Sequence, residues 1–98
     1  MIYPKWKEKP VIPAISKEVR DEMLELGIDL YDVVYILENG YDFPIGKRKV
    51  GVIEKCIRKG TKVIKVVVVE SQFKWPDGFV EKCWKLIHVG KFGFDGYG

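Results

Sequence analysis

Lys47-Arg48-Lys49-Val50-Gly51-Val52-Ile53-Glu54-Lys55-Cys56-Ile57-Arg58-Lys59-Gly60-Thr61-Lys62-Val63-Ile64-Lys65-Val66-Val67-Val68-Val69-Glu70 decides the fold. β-Branched residues fill both halves, and Lys59-Gly60 separates them. Such side chains suit a pleated, half-buried surface. A turn-forming pair between two such runs marks a β-hairpin. Centring the turn on Lys59-Gly60 puts Val52 opposite Val67, Val50 opposite Val69 and Cys56 opposite Val63. It also sets Glu54 against Lys65 and Lys49 against Glu70. Opposite charges across a ladder contribute about 0.2–1 kcal/mol each. Side chains alternate between faces along a strand. Val50, Val52, Val63, Val67 and Val69 therefore share one face, and Ile53, Ile57, Ile64, Val66 and Val68 the other. A sheet wet on one side alternates cleanly between apolar and polar. This one does not, so both faces need cover, and Ile53, Val66 and Val68 are expected to be buried.

Upstream lies a helical pair over residues 16–39. Ser16 suits an N-cap, Val19, Met23, Leu24 and Leu26 lie on or near one stripe, and Gly27 is a C′ stop. Asp29 caps the second helix, with Asp32 three residues on in a capping-box arrangement. Val33, Ile36 and Leu37 form its apolar face, and Asn39-Gly40 ends it. Tyr31, Tyr35 and Tyr41 flank this helix at its boundary with solvent. Residues 1–15 hold Pro4, Pro10 and Pro13, a spacing no helix survives. They form an irregular arm or a short edge strand at Val11-Ile12, anchored by Trp6. Downstream, Trp75-Pro76-Asp77-Gly78 reads as a type I turn. A third strand over about 80–89 returns antiparallel in one of two registers. One puts Trp84 beside Val69 and His88 beside Lys65; the other shifts by one and sends both side chains to the opposite face. Residues 90–98 are an irregular tail, with Phe92, Phe94 and Tyr97 among four glycines. The expected architecture is α+β. Two short N-terminal helices pack on a three- to four-stranded antiparallel sheet spanning 47–89.

The 98 residues, 47% apolar and 32% charged, make one globular domain. No unbroken apolar run, Val66–Val69 and Val33–Leu37 included, is long enough to span a bilayer. The N-terminus lacks the pattern of a signal peptide. A cytoplasmic protein without a membrane partner is expected. Cys56 and Cys83 lack metal-ligand spacing and read as a reduced, buried pair. Usage rich in Lys, Glu and Val/Ile points to a thermophilic source. No metal set, nucleophile with base, or cofactor motif is present, so no cofactor is expected. Net charge is +3, but it is polarised. Residues 16–39 carry two basic against seven acidic side chains, and residues 40–65 carry eight against two. A basic hairpin beside acidic helices steers polyanions to one side.

The run Ile15-Ser16-Lys17, Met23, Gly27-Ile28-Asp29-Leu30, Val33 and Leu37-Glu38-Asn39-Gly40 carries a resemblance. It is similar to the opening of a family of small prokaryotic domains of unassigned function, allied to the BrnT toxins and more distantly to the RelE/ParE toxins. The likeness covers roughly residues 15–90 and rests on caps and core. Members commonly carry a His soon after the Ser, where this chain has Lys17-Glu18-Val19. The resemblance implies a RelE-like fold and a toxin-like ribonuclease or RNA-binding protein with an antitoxin-like partner. It points to Lys47, Arg48, Lys49, Lys55, Arg58 and Lys59 on the hairpin, and to His88 on the last strand, as groups facing RNA.

From the residues themselves, Lys47, Arg48, Lys49, Lys55, Arg58, Lys59 and Lys62 are candidates for binding phosphates, since Lys and Arg supply charge and donors together. The same charges on strands also discourage edge-to-edge aggregation. His88, the lone histidine, is a candidate general acid or base. In the first of the two registers, Glu54, Lys65 and His88 line up across three strands as a candidate catalytic row, or as a salt bridge beside a polar ring. Two functions follow. One is RNA binding, with or without ribonuclease activity. The other is a non-catalytic interaction module that forms a homodimer or takes a partner's segment on the second sheet face.

Overall fold

The computed structural model describes residues 3–14, 17–42 and 51–93, with Phe92 and Gly93 described as backbone. The strands are β1 (Lys5–Trp6), β2 (Lys9–Pro13), β3 (Tyr41–Asp42), β4 (Val52–Lys59), β5 (Lys62–Lys74) and β6 (Val80–Gly93). The helices are α1 (Lys17–Leu26) and α2 (Leu30–Asn39), between β2 and β3. Among the described residues the strands form one six-stranded sheet in the order β1-β2-β6-β5-β4-β3. Every pairing is antiparallel except β2 with β6, which is parallel. This overturns the expected helical pair on a three- to four-stranded antiparallel sheet, and with it the RelE-like architecture. The sheet is mixed and larger because the proline-containing arm joins it. Val11 N–H donates to Pro4 and Ala14 N–H to Leu86. Alternation then aims the missing N–H of Pro13 away from β6, beyond the residues that pair in β1. Pro10 stands one residue before the ladder with β6 begins. Both prolines thus sit where no ladder bond is lost. The expected irregular tail likewise starts as strand, since β6 runs to Gly93.

The central hairpin forms, but its turn is Gly60-Thr61. Gly60 has φ +64°, and neither Lys59 nor Thr61 has positive φ. Glycine at the first central position selects a type II′ turn. A turn on Lys59-Gly60 would force a side-chain-bearing lysine into the left-handed region. The partners are therefore Val52 with Val69, Glu54 with Val67, Cys56 with Lys65 and Lys59 with Lys62. The expected pairings of Glu54 with Lys65 and Cys56 with Val63 are both displaced by two positions. A two-residue displacement keeps every side chain on its expected face. Lys49 and Val50, along with Ser16, Phe94 and Tyr97, lie outside the described residues.

β6 follows β5 in the one-residue-shifted register, with Trp84 opposite Glu70 and Leu86 opposite Val68. A bulge then inserts Ile87, so that His88 stands opposite Val67 and Val89 opposite Val66. The insertion lets Trp84, Leu86 and Val89 all face the helices, despite their odd spacing. The Trp75–Gly78 turn closes this hairpin through Gly78 N–H to the Trp75 carbonyl at 2.8 Å.

The core lies between this face and the helices. Ile64, Val66, Val68, Trp84, Leu86 and Val89 meet Val19, Val33, Ile36 and Leu37, with Trp6 and Val11 from the arm. Full burial of such a side chain contributes about 1.5–3 kcal/mol. Val66 and Val68 are fully buried as expected, whereas Ile53 is half-buried. Leu24 leaves the α1 stripe and is 81% exposed. Trp6 is the anchor of the arm. Its ring lies 5.2 Å from that of Trp84, and its carbonyl accepts from Trp84 Nε1 at 3.1 Å. The Asp29–Asp32 capping box closes as expected, with both bonds at 2.9 Å. Among the described residues no helix is long and apolar enough to cross a membrane.

Candidate nucleic-acid interface

The type II′ turn determines where the basic residues go. Lys59 and Lys62 flank it and stand directly opposite each other, both exposed. Arg58 is also exposed, and its Nε donates to the Gly60 carbonyl at 3.2 Å, which holds the guanidinium at the turn. Like charges directly opposed across a ladder are destabilising. The hairpin tip therefore concentrates positive charge against local repulsion.

The other candidates separate from this trio. Lys55 is engaged with Asp42, Nζ to Oδ1 at 2.7 Å, and its side chain is only 22% exposed. Its charge holds the short β3 onto β4. Lys65 Nζ lies 3.0 Å from Glu54 Oε2, and the Glu54 side chain is 2% exposed. Both belong to the sheet face away from the helices, where the pair is internally neutralised. Lys47, Arg48 and Lys49 lie outside the described residues.

The register does not assemble the candidate catalytic row. Lys65 faces Gly90, and His88 faces Val67. Glu54 and Lys65 come together on the diagonal, while His88 turns to α1. Its Nδ1 lies 3.4 Å from Glu22 Oε2, and Glu22 Oε1 accepts the Val89 backbone N–H at 3.0 Å. One carboxylate thus caps the edge of β6 beyond the end of β2 and orients the imidazole. The ring lies over Gly90, where an added Cβ would meet His88 Nε2 at 2.9 Å. These contacts describe a structural clasp between α1 and β6. Cys56 and Cys83 are free and buried, and burial pushes both thiols above their ordinary pKa.

Beside the tip runs a groove of about 310 Å³ between α2 and the β4–β5 hairpin. Ile28, Ile36, Ile57 and Ile64 form its apolar lining, and Asp32, Tyr35, Arg58 and Lys59 its polar and aromatic part. Tyr35 is 57% exposed, as expected of a residue at the solvent boundary of α2. The sequence singles out the two lysines and Arg58 but not their neighbours on the helix. The available signal was the pair Asp32 and Tyr35, one helical turn apart on the outward side of α2. Only the tertiary packing brings that side to the hairpin. Comparisons with protein-family models, curated proteins and solved structures find no match to this chain.

Proposed function

We propose that this protein binds single-stranded RNA through the tip of the β4–β5 hairpin, without cleaving it. The observation that carries this reading is the opposed, exposed pair Lys59–Lys62 with Arg58 beside it, next to a groove edged by a tyrosine. An anionic backbone laid across the tip relieves the repulsion within the lysine pair and gains charge-assisted hydrogen bonds from Arg58. An exposed aromatic ring next to a basic surface is the arrangement that single-stranded nucleic acid uses, phosphates on the charges and bases on the rings. Cleavage is left out because Glu54 is committed to Lys65 and His88 to Glu22.

The experiment is fluorescence anisotropy with a labelled single-stranded RNA over a range of salt concentrations. Affinity is expected to fall with a log–log slope of about −0.7 per phosphate neutralised. The Arg58→Ala/Lys59→Ala/Lys62→Ala variant should bind weakly and show a flatter slope, with an unchanged circular dichroism spectrum. Lys55→Ala should retain the native slope, because that ammonium is committed to Asp42. Equal binding by the native protein and the triple variant would overturn the proposal.

A further inference from the structure

We infer that the groove beside the hairpin tip holds one unstacked nucleobase and prefers adenine or cytosine, which present an amine where uracil presents its O4 carbonyl, over uracil. This rests on the RNA-binding reading and adds a base preference to it. The groove's volume of about 310 Å³ is at the lower end for small-ligand sites, about 300–1,000 Å³. It suits a single ring system better than an extended ligand. Four isoleucines line it, so a planar aromatic group gains by leaving water there. Tyr35 stands beside them with much of its ring exposed, positioned for stacking. Lys59 lines the same groove and Arg58 borders it at the turn, so a base placed inside has its own phosphates beside cations. Sequence-selective recognition of RNA commonly takes this form, a splayed-out base stacked on an aromatic ring and read at its edge.

The edge reader is Asp32. It is the one carboxylate among the described lining residues. Its Oδ2 accepts the Asp29 N–H in the capping box at 2.9 Å. That bond fixes the carboxylate in place and uses one of its roughly four lone-pair sites. An ionised carboxylate only accepts hydrogen bonds. It therefore favours the N6 amine of adenine or the N4 amine of cytosine, and it repels the O4 carbonyl that uracil presents at the corresponding position.

The test is anisotropy with labelled single-stranded oligo(A), oligo(C) and oligo(U) of equal length. The native protein is expected to bind oligo(A) and oligo(C) about tenfold more tightly than oligo(U). Tyr35→Ala should weaken binding to oligo(A) and oligo(C) by about tenfold without altering the salt slope, because it removes stacking and not charge. Asp32→Asn should bring the three oligonucleotides to similar affinity. Its side-chain oxygen can still accept the Asp29 N–H, so the helix remains capped, which circular dichroism checks. Equal affinity of the native protein for all three would overturn the base preference. Full affinity in Tyr35→Ala would overturn the groove as the seat of a base. In both cases the polyanion reading stands if the Arg58→Ala/Lys59→Ala/Lys62→Ala variant loses binding. Absence of binding to all three at low salt would overturn the RNA-binding reading and the base preference together.

Discussion

Glu54 and Lys65 meet on the diagonal of the β4–β5 ladder. Cys56 is the residue directly opposite Lys65, yet the ammonium reaches across to the Glu54 carboxylate at 3.0 Å. Diagonal neighbours in an antiparallel pair lie within reach of long side chains. The ion pair inferred from the sequence therefore exists, although the register that suggested it does not. Its carboxylate is almost fully buried and its ammonium is 22% exposed. Removing one partner from such a pair weakens the compensation of a buried charge, a change that costs up to about 3–5 kcal/mol. Lys65→Ala should lower the unfolding free energy by an amount in that range, read as a lower urea midpoint with an unchanged m-value. The double replacement Glu54→Leu/Lys65→Met should recover most of the loss, since apolar residues of similar volume often substitute for a buried pair at little cost. Equal destabilisation by the single and double variants would contradict this account of the pair.

The turn joining β1 to β2 stores strain. Lys7 and Glu8 both adopt positive φ, 52° and 67°, the pattern of a type I′ turn between Trp6 and Lys9. A residue with a side chain in that region costs about 1–2 kcal/mol. Glu8→Gly should therefore raise stability by about 1 kcal/mol, seen as a higher urea midpoint with an unchanged m-value. Lys7 is better left alone, because its Nζ lies 5.2 Å from the Trp6 ring centroid.

This turn also shows where legibility ended. The anchoring role of Trp6, the Asp29–Asp32 capping box and the face assignments of β4 and β5 were all readable, because each follows from local spacing. The β1–β2 hairpin was not, since its turn lacks the Asn-Gly or Asp-Gly signal and its strands carry prolines. The parallel pairing of β2 with β6 depends on residues far apart in the chain, and no local pattern encodes it. The choice between Lys59-Gly60 and Gly60-Thr61 was in principle readable, because a type II′ turn needs only one residue of positive φ and Gly60 supplies it. The apparent charge matches at Glu54–Lys65 and Lys49–Glu70 outweighed that backbone argument. Glu70 is bonded to Lys9 of the arm, Oε2 to Nζ at 2.9 Å, and Lys49 lies outside the described residues. The basic candidates were legible as a group, but the engagement of Lys55 with Asp42 and of Lys65 with Glu54 depends on contacts that only the fold creates.

The two thiols make stability sensitive to alkali. Burial raises the pKa of Cys56 and Cys83 in the folded protein, so the native state holds their protons more tightly than the unfolded chain does. As pH rises through the ordinary thiol range, near 8.5, the unfolded chain loses protons first and stability falls. Below that range the effect is absent. The urea midpoint should drop between about pH 7.5 and about pH 9.5. The drop should be smaller in a Cys56→Ala/Cys83→Ala variant, even though that variant starts from lower stability. An equal drop in both proteins would remove the thiols from the account.

If RNA binds as proposed, it contacts the hairpin tip together with the outward side of α2. Amide chemical-shift mapping during titration with a single-stranded RNA locates the contact directly. The account expects the largest perturbations over residues 57–64 at the tip and 31–36 on α2, shrinking as salt is raised. Perturbations centred on β1, on the Trp75–Gly78 turn, or on the clasp of Glu22 and His88, with the tip unmoved, would contradict it.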